Sequence, residues 1–155
     1  MPTTMINRNQ WAAYAYISST YELIGEGFTS LTESKNAKEY SRQYVHEQTE
    51  RTDVTGYATS LEYTFDAYNG DPVCEAIIAI TDEEKTGSEA QIDVVSVNLW
   101  TESSGSCTAY KRTYAVIPNQ KGSGNDALVY SGTLRAVGDI IPGTFATATK
   151  AFTPT

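Results

Sequence analysis

The chain has one histidine, His46, and two cysteines, Cys74 and Cys107. Neither a cysteine–histidine zinc cluster nor a multi-histidine metal site can be assembled from one imidazole and two distant thiols. Two cysteines also define no disulfide framework, so the expectation is a pair of reduced, packed thiols. Positive charge is scarce, with 11 Lys and Arg against 19 Asp and Glu and a net charge of −8. Residues 1–85 hold 14 acids and 6 bases and residues 86–155 hold 5 of each, so the acidic excess lies in the first half. A protein that neutralises phosphates needs the opposite sign clustered on one face, which argues against specific or tight nucleic-acid binding. Nowhere do 18 apolar residues run together, and the opening Met-Pro-Thr-Thr-Met-Ile-Asn-Arg-Asn lacks a signal peptide's apolar core. The sequence thus predicts a soluble protein made in the cytoplasm, with no membrane partner.

Hydrophobic residues make up 40% and charged residues 19% of 155 positions, which excludes a disordered tail and fits one domain over 1–155. Thr, Ser, Tyr and Gly are plentiful, so β structure with polar faces is expected. Residues 1–10 read as an N-terminal arm. Trp11–Ile17, Tyr21–Gly25 and Phe28–Thr32 read as short strands that form a compact opening β unit. From Glu33 to Asp53 five acids and four bases are interleaved with polar residues. A segment this poor in apolar groups is a solvated loop or a surface meant for a partner. Ala37, Tyr40 and Tyr44 have the spacing of a short amphipathic helix, and Glu39–Val45 could equally extend as a hairpin arm.

Gly56–Tyr68 alternates cleanly, with Tyr57, Thr59, Leu61, Tyr63 and Phe65 on one face and Glu62 and Asp66 on the other. Asn69-Gly70 reads as a turn, and Asp71-Pro72 starts a helix over 71–86, Asp as N-cap and Pro at the first helical position. Val73, Ala76, Ile77 and Ile80 form its apolar stripe, and Gly87 its terminator. Strands follow over Ile92–Trp100 and Ala109–Ile117, the second closed by Pro118. After the glycine-rich 120–126 loop, Leu128–Phe152 reads as a hairpin folded at Pro142-Gly143, with Tyr130, Gly132, Leu134 and Ala136 on its buried face.

No pattern carries chemistry. Glu62 and Asp66 sit four apart on a strand, about 13 Å, beyond the roughly 5–9.5 Å of two-carboxylate glycosidase sites. The Lys121-Gly-Ser-Gly124 loop lacks the frame of a phosphate cradle. Asp82-Glu-Glu84 lacks the alternating ligands of a calcium loop and reads as a solvated helix end, although acids there oppose the helix dipole. No nucleophile elbow is present. Trp11 and Trp100 read as core or interface anchors. The chain is therefore expected not to be an enzyme and to need no cofactor.

The C-terminal Tyr-Ser-Gly-Thr-Leu-Arg-Ala-Val-Gly-Asp (130–139), then Pro-Gly-Thr-Phe (142–145) and Phe-Thr-Pro (152–154), resembles the signature of major tail (tail tube) proteins of long-tailed bacteriophages. Leu23-Ile-Gly-Glu-Gly-Phe-Thr-Ser-Leu-Thr-Glu-Ser, Val54-Thr-Gly-Tyr57 and the Asp-Pro-Val helix start match in the same order. The resemblance implies a mainly β fold, an antiparallel β-sandwich or partly closed barrel of two sheets with one flanking helix. It further implies a structural subunit of the virion, assembled in the host bacterial cytoplasm into hexameric rings stacked as a conduit for DNA. Its partners would be other copies, a tail-tip initiator, a tail terminator and a tape measure protein in the lumen, with DNA passing unbound. The 33–53 segment would be the protruding loop or arm that reaches a neighbouring ring, anchored by Tyr40, Arg42, Tyr44 and Arg51, because Tyr and Arg dominate hot spots. Glu62 and Asp66 would be acids near the lumen. A tube subunit of a contractile phage-derived particle fits equally. The competing class, a carbohydrate-binding-like β-sandwich module, predicts a monomer with aromatics grouped on one exposed face.

Overall fold

The computed structural model describes residues 3–25 and 27–155; the first two residues of the N-terminal arm and Glu26 of the opening motif lie outside it. The strands are β1 (Trp11–Ile17), β2 (Thr20–Leu23), β3 (Phe28–Ser34), β4 (Lys38–Arg42), β5 (Arg51–Gly56), β6 (Ser60–Asp66), β7 (Gln91–Ser103), β8 (Ser106–Lys121), β9 (Val129–Ala146) and β10 (Ala151–Pro154), with the helix α1 (Pro72–Asp82) between β6 and β7. Eight strands form one antiparallel sheet in the order β2-β1-β7-β8-β9-β6-β3, with β10 beside the far end of β9. The other two, β4 and β5, form a separate hairpin.

Local chemistry places the reversals. Ser18 and Ser19 both hold positive φ (50° and 67°) between β1 and β2, and Ser104 with Gly105 (53° and 83°) do the same between β7 and β8. Those signs are the ones a two-residue hairpin needs to match strand twist.

The sheet is curled and has two cores. On one face α1 lays Val73, Cys74, Ile77 and Ile80 against Ala13, Ala15, Leu61, Phe65, Val94 and Leu134. Within that core the rings of Phe65 and Tyr130 stack at 5.4 Å and those of Tyr63 and Phe65 at 5.9 Å, worth about 0.5–1.5 kcal/mol per pair beyond burial. On the other face Val95, Val97, Cys107, Ala109 and Phe145 gather with Tyr21. Tyr14 of β1 and Phe145 of β9 are separated by β7 and β8, yet their ring centroids lie 4.5 Å apart. A flat sheet would hold strands three positions apart about 14 Å away from each other. The long strands therefore span both cores: β7 and β9 begin in the first and end in the second, and the antiparallel β8 runs the other way. Cys74 and Cys107 are buried thiols in different cores.

Five sequence expectations need correction. The opening strands do not form one unit, because β3 leaves β1 and β2 and pairs with β6 at the opposite end of the sheet. Gly27 makes the crossing possible: it holds φ +80°, its carbonyl accepts from the Asp66 amide at 2.8 Å, and a Cβ there would lie 2.5 Å from the Asp66 carbonyl. Strand β6 begins at Ser60 rather than Gly56, since Gly56 closes β5 and Asn36 Nδ2 donates to the Ala58 carbonyl at the intervening corner. Tyr57 is consequently exposed instead of joining the core.

The helix ends at Asp82, short of the expected 86. The Lys85 amide donates to the Ile80 carbonyl and the Glu84 amide to the Thr81 carbonyl, with Glu84 at φ 51°. This is a Schellman stop with glutamate where glycine is usual. Asp71 caps the other end by accepting from the Val73 amide at 3.0 Å. Pro118 does not close β8, which passes it to Lys121 across an irregular register; β7 pairs only as far as Ala115, so the missing amide costs no ladder bond on that side.

Pro142-Gly143 is no turn either. It lies inside β9 opposite Tyr110 and Ala109, and the chain reverses at 147–150 instead. The Pro142 carbonyl accepts from the Thr155 amide, so its missing N–H faces only that last residue. Gly143 is required because a Cβ there would strike the Thr153 carbonyl and lie 2.8 Å from the Phe152 ring.

Candidate assembly interface

The two ends of the curled sheet approach each other along a seam. Arg8 bridges it, donating to the Trp11 carbonyl at 3.1 Å and the Leu31 carbonyl at 3.0 Å while stacking over the Trp11 ring at 5.0 Å. A cleft of about 550 Å³ runs there between Trp11, Tyr14 and Leu23 on one side and Phe28 and Leu31 on the other. Among the described residues the sheet does not close, so β2, β3 and β10 each keep one edge unpaired. Unpaired edges are templates for another chain unless blocked or buried in an assembly.

The polar segment is a hairpin arm running from Lys38 to Gly56, not a helix, and residues 33 and 34 belong to β3. Polar and charged residues fold this way because the cross-strand pairs satisfy one another. Ser41 and Thr52 share a 3.1 Å hydroxyl contact, and Arg42 Nη1 meets Asp53 Oδ2 at 2.5 Å. At the tip the Glu47 amide donates to the Tyr44 carbonyl, and Arg51 Nε donates to Glu47 Oε2 at 2.5 Å.

The structure brings Tyr40, Arg42, Tyr44 and Arg51 into one cluster. The Arg42 guanidinium lies 5.0 Å from the Tyr40 ring and 5.7 Å from the Tyr44 ring, and Arg51 lies 5.6 Å from Tyr44. Arg42 Nε also donates to the Tyr44 hydroxyl at 3.2 Å, and this bond, followed by Asp53, raises the Arg42 pKa further. The arginines thus hold the tyrosines in place. Sequence reasoning missed Val45, which stands fully exposed at the tip, and Val54, exposed on β5. Isolated valines in a polar segment gave no periodicity to find.

Glu62 and Asp66 lie on the face of β6 away from the helix-bearing core, Glu62 opposite Thr133 and Thr32, Asp66 opposite Val129. Around Glu62 that face is polar, with Ser30, Thr64, Asn119, Ser131 and Thr133. The helix end is not merely solvated. Asp82 accepts from Lys121 Nζ at 3.0 Å and from the Tyr130 hydroxyl at 3.2 Å, and the Asp82 bond, followed by the contact of Lys121 with Tyr130, raises the Lys121 pKa.

Among the described residues, no three His, Cys, Asp or Glu side chains are placed to hold a metal ion, and no helix is long and apolar enough to cross a membrane. No family model and no curated protein matches the chain in sequence. Solved structures do match. A chain of the tail of an empty gene transfer agent particle, determined with C6 symmetry, superposes with a TM-score of 0.63 at 13% identity, covering 88% of this chain and 97% of that one. A chain of the native gene transfer agent virion gives 0.61 at 13% identity over 96% and 99%. A chain of the tube-terminating cap of the anti-feeding prophage gives 0.58 at 13% identity over 93% and 94%. In fold, the chain resembles tail tube proteins. The likeness spans nearly the whole length, so the tail-tube-like architecture includes the curled sheet and α1 together.

Proposed function

We propose that this protein is a structural subunit of a tail tube, in which copies join into hexameric rings that stack into a conduit for DNA. The observation that carries the reading is the tail-tube-like sheet that stops short of closing, since its unpaired edges are satisfied when identical subunits join them in a ring. The arm supplies the second contact, between rings. Its Tyr40, Arg42, Tyr44 and Arg51 cluster is pre-ordered by internal stacking, so little conformational entropy is lost on docking.

The polar face around Glu62 and Asp66 suits a lumen wall. Two acids per subunit repel phosphates weakly across water, and the repulsion repeats at every ring. A tape measure protein would fill that lumen during assembly, with a tail-tip initiator and a tail terminator at the ends. The assembly would form in the host bacterial cytoplasm and reside in the virion.

A tube of a contractile particle is the second reading, favoured by the likeness, at a TM-score of 0.52 and 16% identity, to a chain of the sheath/tube terminator of an extracellular contractile injection system. A ligand-binding module has less support, because the exposed aromatics form no single platform: Tyr40 and Tyr44 sit together on the arm, while Tyr16, Tyr57, Tyr68 and Trp100 lie on other parts of the chain. Sedimentation velocity over a range of concentrations tests the reading. Growth from monomer to rings or longer species is the expected result, and a monomer that persists with a tail-tip initiator added would overturn it.

A further inference from the structure

Between β6 and α1 the chain turns at Asn69-Gly70. Both residues are exposed, Gly70 takes φ +92°, and a Cβ added to it would meet nothing within 4 Å. Of the seven asparagines, Asn69 alone is followed by glycine; Arg8, Gln10, Ala37, Leu99, Gln120 and Asp126 follow the others. That pairing has a chemical consequence as well as a conformational one. A backbone nitrogen can attack the side-chain amide carbon of the asparagine before it and close a five-membered ring. Any side chain on the attacking residue crowds this approach and narrows the backbone angles open to it, and glycine has none.

The fold leaves the two reacting groups free to meet. The Gly70 N–H lies outside any strand or helix and donates to Glu75 Oε2 across an exposed 3.3 Å contact, longer than a strong hydrogen bond. Among the described residues none hydrogen-bonds the Asn69 side chain, so no such bond has to break before its amide carbon meets the Gly70 nitrogen. Asn36, by contrast, is tied to the Ala58 carbonyl at 2.9 Å, and Asn98 lies within β7.

We propose that Asn69 is a site of spontaneous deamidation in the folded protein. The Gly70 nitrogen gives its proton to solvent base and bonds to Asn69 Cγ; the Cγ–Nδ2 bond breaks, and the nitrogen leaves as ammonia after taking a proton from water. Water then opens the cyclic imide at one carbonyl or the other, leaving aspartate or isoaspartate. Either product adds one negative charge to the chain's −8. The charge arrives in the hollow that Glu22, Leu23, Tyr68, Asp71 and Lys150 share with the turn, beside the edge of β2, where Lys150 is the one cation among the lining residues. Isoaspartate also lengthens the backbone by one methylene two residues before the Asp71 cap of α1.

The purified full chain is kept warm at mildly alkaline pH, then digested in acid, where the reaction is slow, and mapped by mass spectrometry, with ion-exchange chromatography of the intact protein alongside. The expected result is a gain of one mass unit at Asn69 at least about ten-fold faster than at any other asparagine, the factor that roughly 1.4 kcal/mol of barrier is worth. A more acidic intact form should accumulate at the same rate and be absent from Asn69→Gln, whose longer side chain would need a larger ring. Conversion of Asn69 no faster than of the other asparagines would overturn the proposal. So would conversion that appears only in urea, since the folded turn would then hold the groups apart, or an acidic form that persists in Asn69→Gln.

Discussion

The Tyr130 hydroxyl donates to Asp82 Oδ1 at 3.2 Å, joining the C-terminal turn of α1 to the first residues of β9. Helix C-termini disfavour acids, and here the cost is offset because Lys121 also reaches the same oxygen. The helix is thereby fastened to the strands beneath it. Tyr130→Phe is expected to lose about 1 kcal/mol in urea denaturation, and Tyr130→Phe with Asp82→Ala to couple by at least about 0.5 kcal/mol. Additive losses would mean the contact carries no stability.

Gly143 lies under β10, where any Cβ meets the Thr153 carbonyl and the Phe152 ring. Gly143→Ala should displace β10 and cost about 1–3 kcal/mol, read as faster amide exchange at 151–154 and a lower unfolding midpoint. Gly56→Ala is the control: its φ is ordinary and the nearest atom is the flexible Lys38 stem at 4.0 Å, so a change below about 0.5 kcal/mol is expected.

Tyr63 and Tyr114 are both pushed up to about 12, first by burial; Glu33 adds to the rise at Tyr114, while Arg112 opposes it. A folded pKa above the unfolded value of about 10 means that the stability these groups contribute is whole below pH 10 and falls between pH 10 and 12, where only the unfolded chain ionises. The expected slope is up to about 1.4 kcal/mol per pH unit for each tyrosine. Denaturation midpoints across that window should flatten in Tyr63→Phe. An unchanged slope would show that Tyr63 ionises freely in the folded protein.

Replacing residues 38–56 by a short Gly-Ser linker should leave the main sheet folded, because β4 and β5 pair only with each other. Thermal unfolding is expected to shift by only a few degrees, while concentration-dependent assembly is lost. Retained assembly would remove the arm from the account.

Much of this fold was legible because burial imposes periodicity. Leu61, Tyr63 and Phe65 alternate, Val73, Ile77 and Ile80 recur at helical spacing, and all six are buried. What failed was punctuation. Pro142-Gly143 has the chemistry of a turn, but the glycine serves close packing and the actual reversal falls at Thr147-Ala-Thr-Lys150, which has none of the usual turn residues. Long-range order was equally hidden, since nothing local tells β3 to cross to β6. For the arm, the sequence showed Tyr and Arg but not that they stack on one another, because their meeting depends on the β4–β5 register.

Copies of this chain are proposed to join through sheet edges and arms into a hollow tube. Negative-stain electron microscopy of the concentrated protein, with and without a tail-tip initiator, tests it most directly. Rings or tubes with a stain-filled lumen are the predicted result. Uniform single subunits in both samples would contradict it.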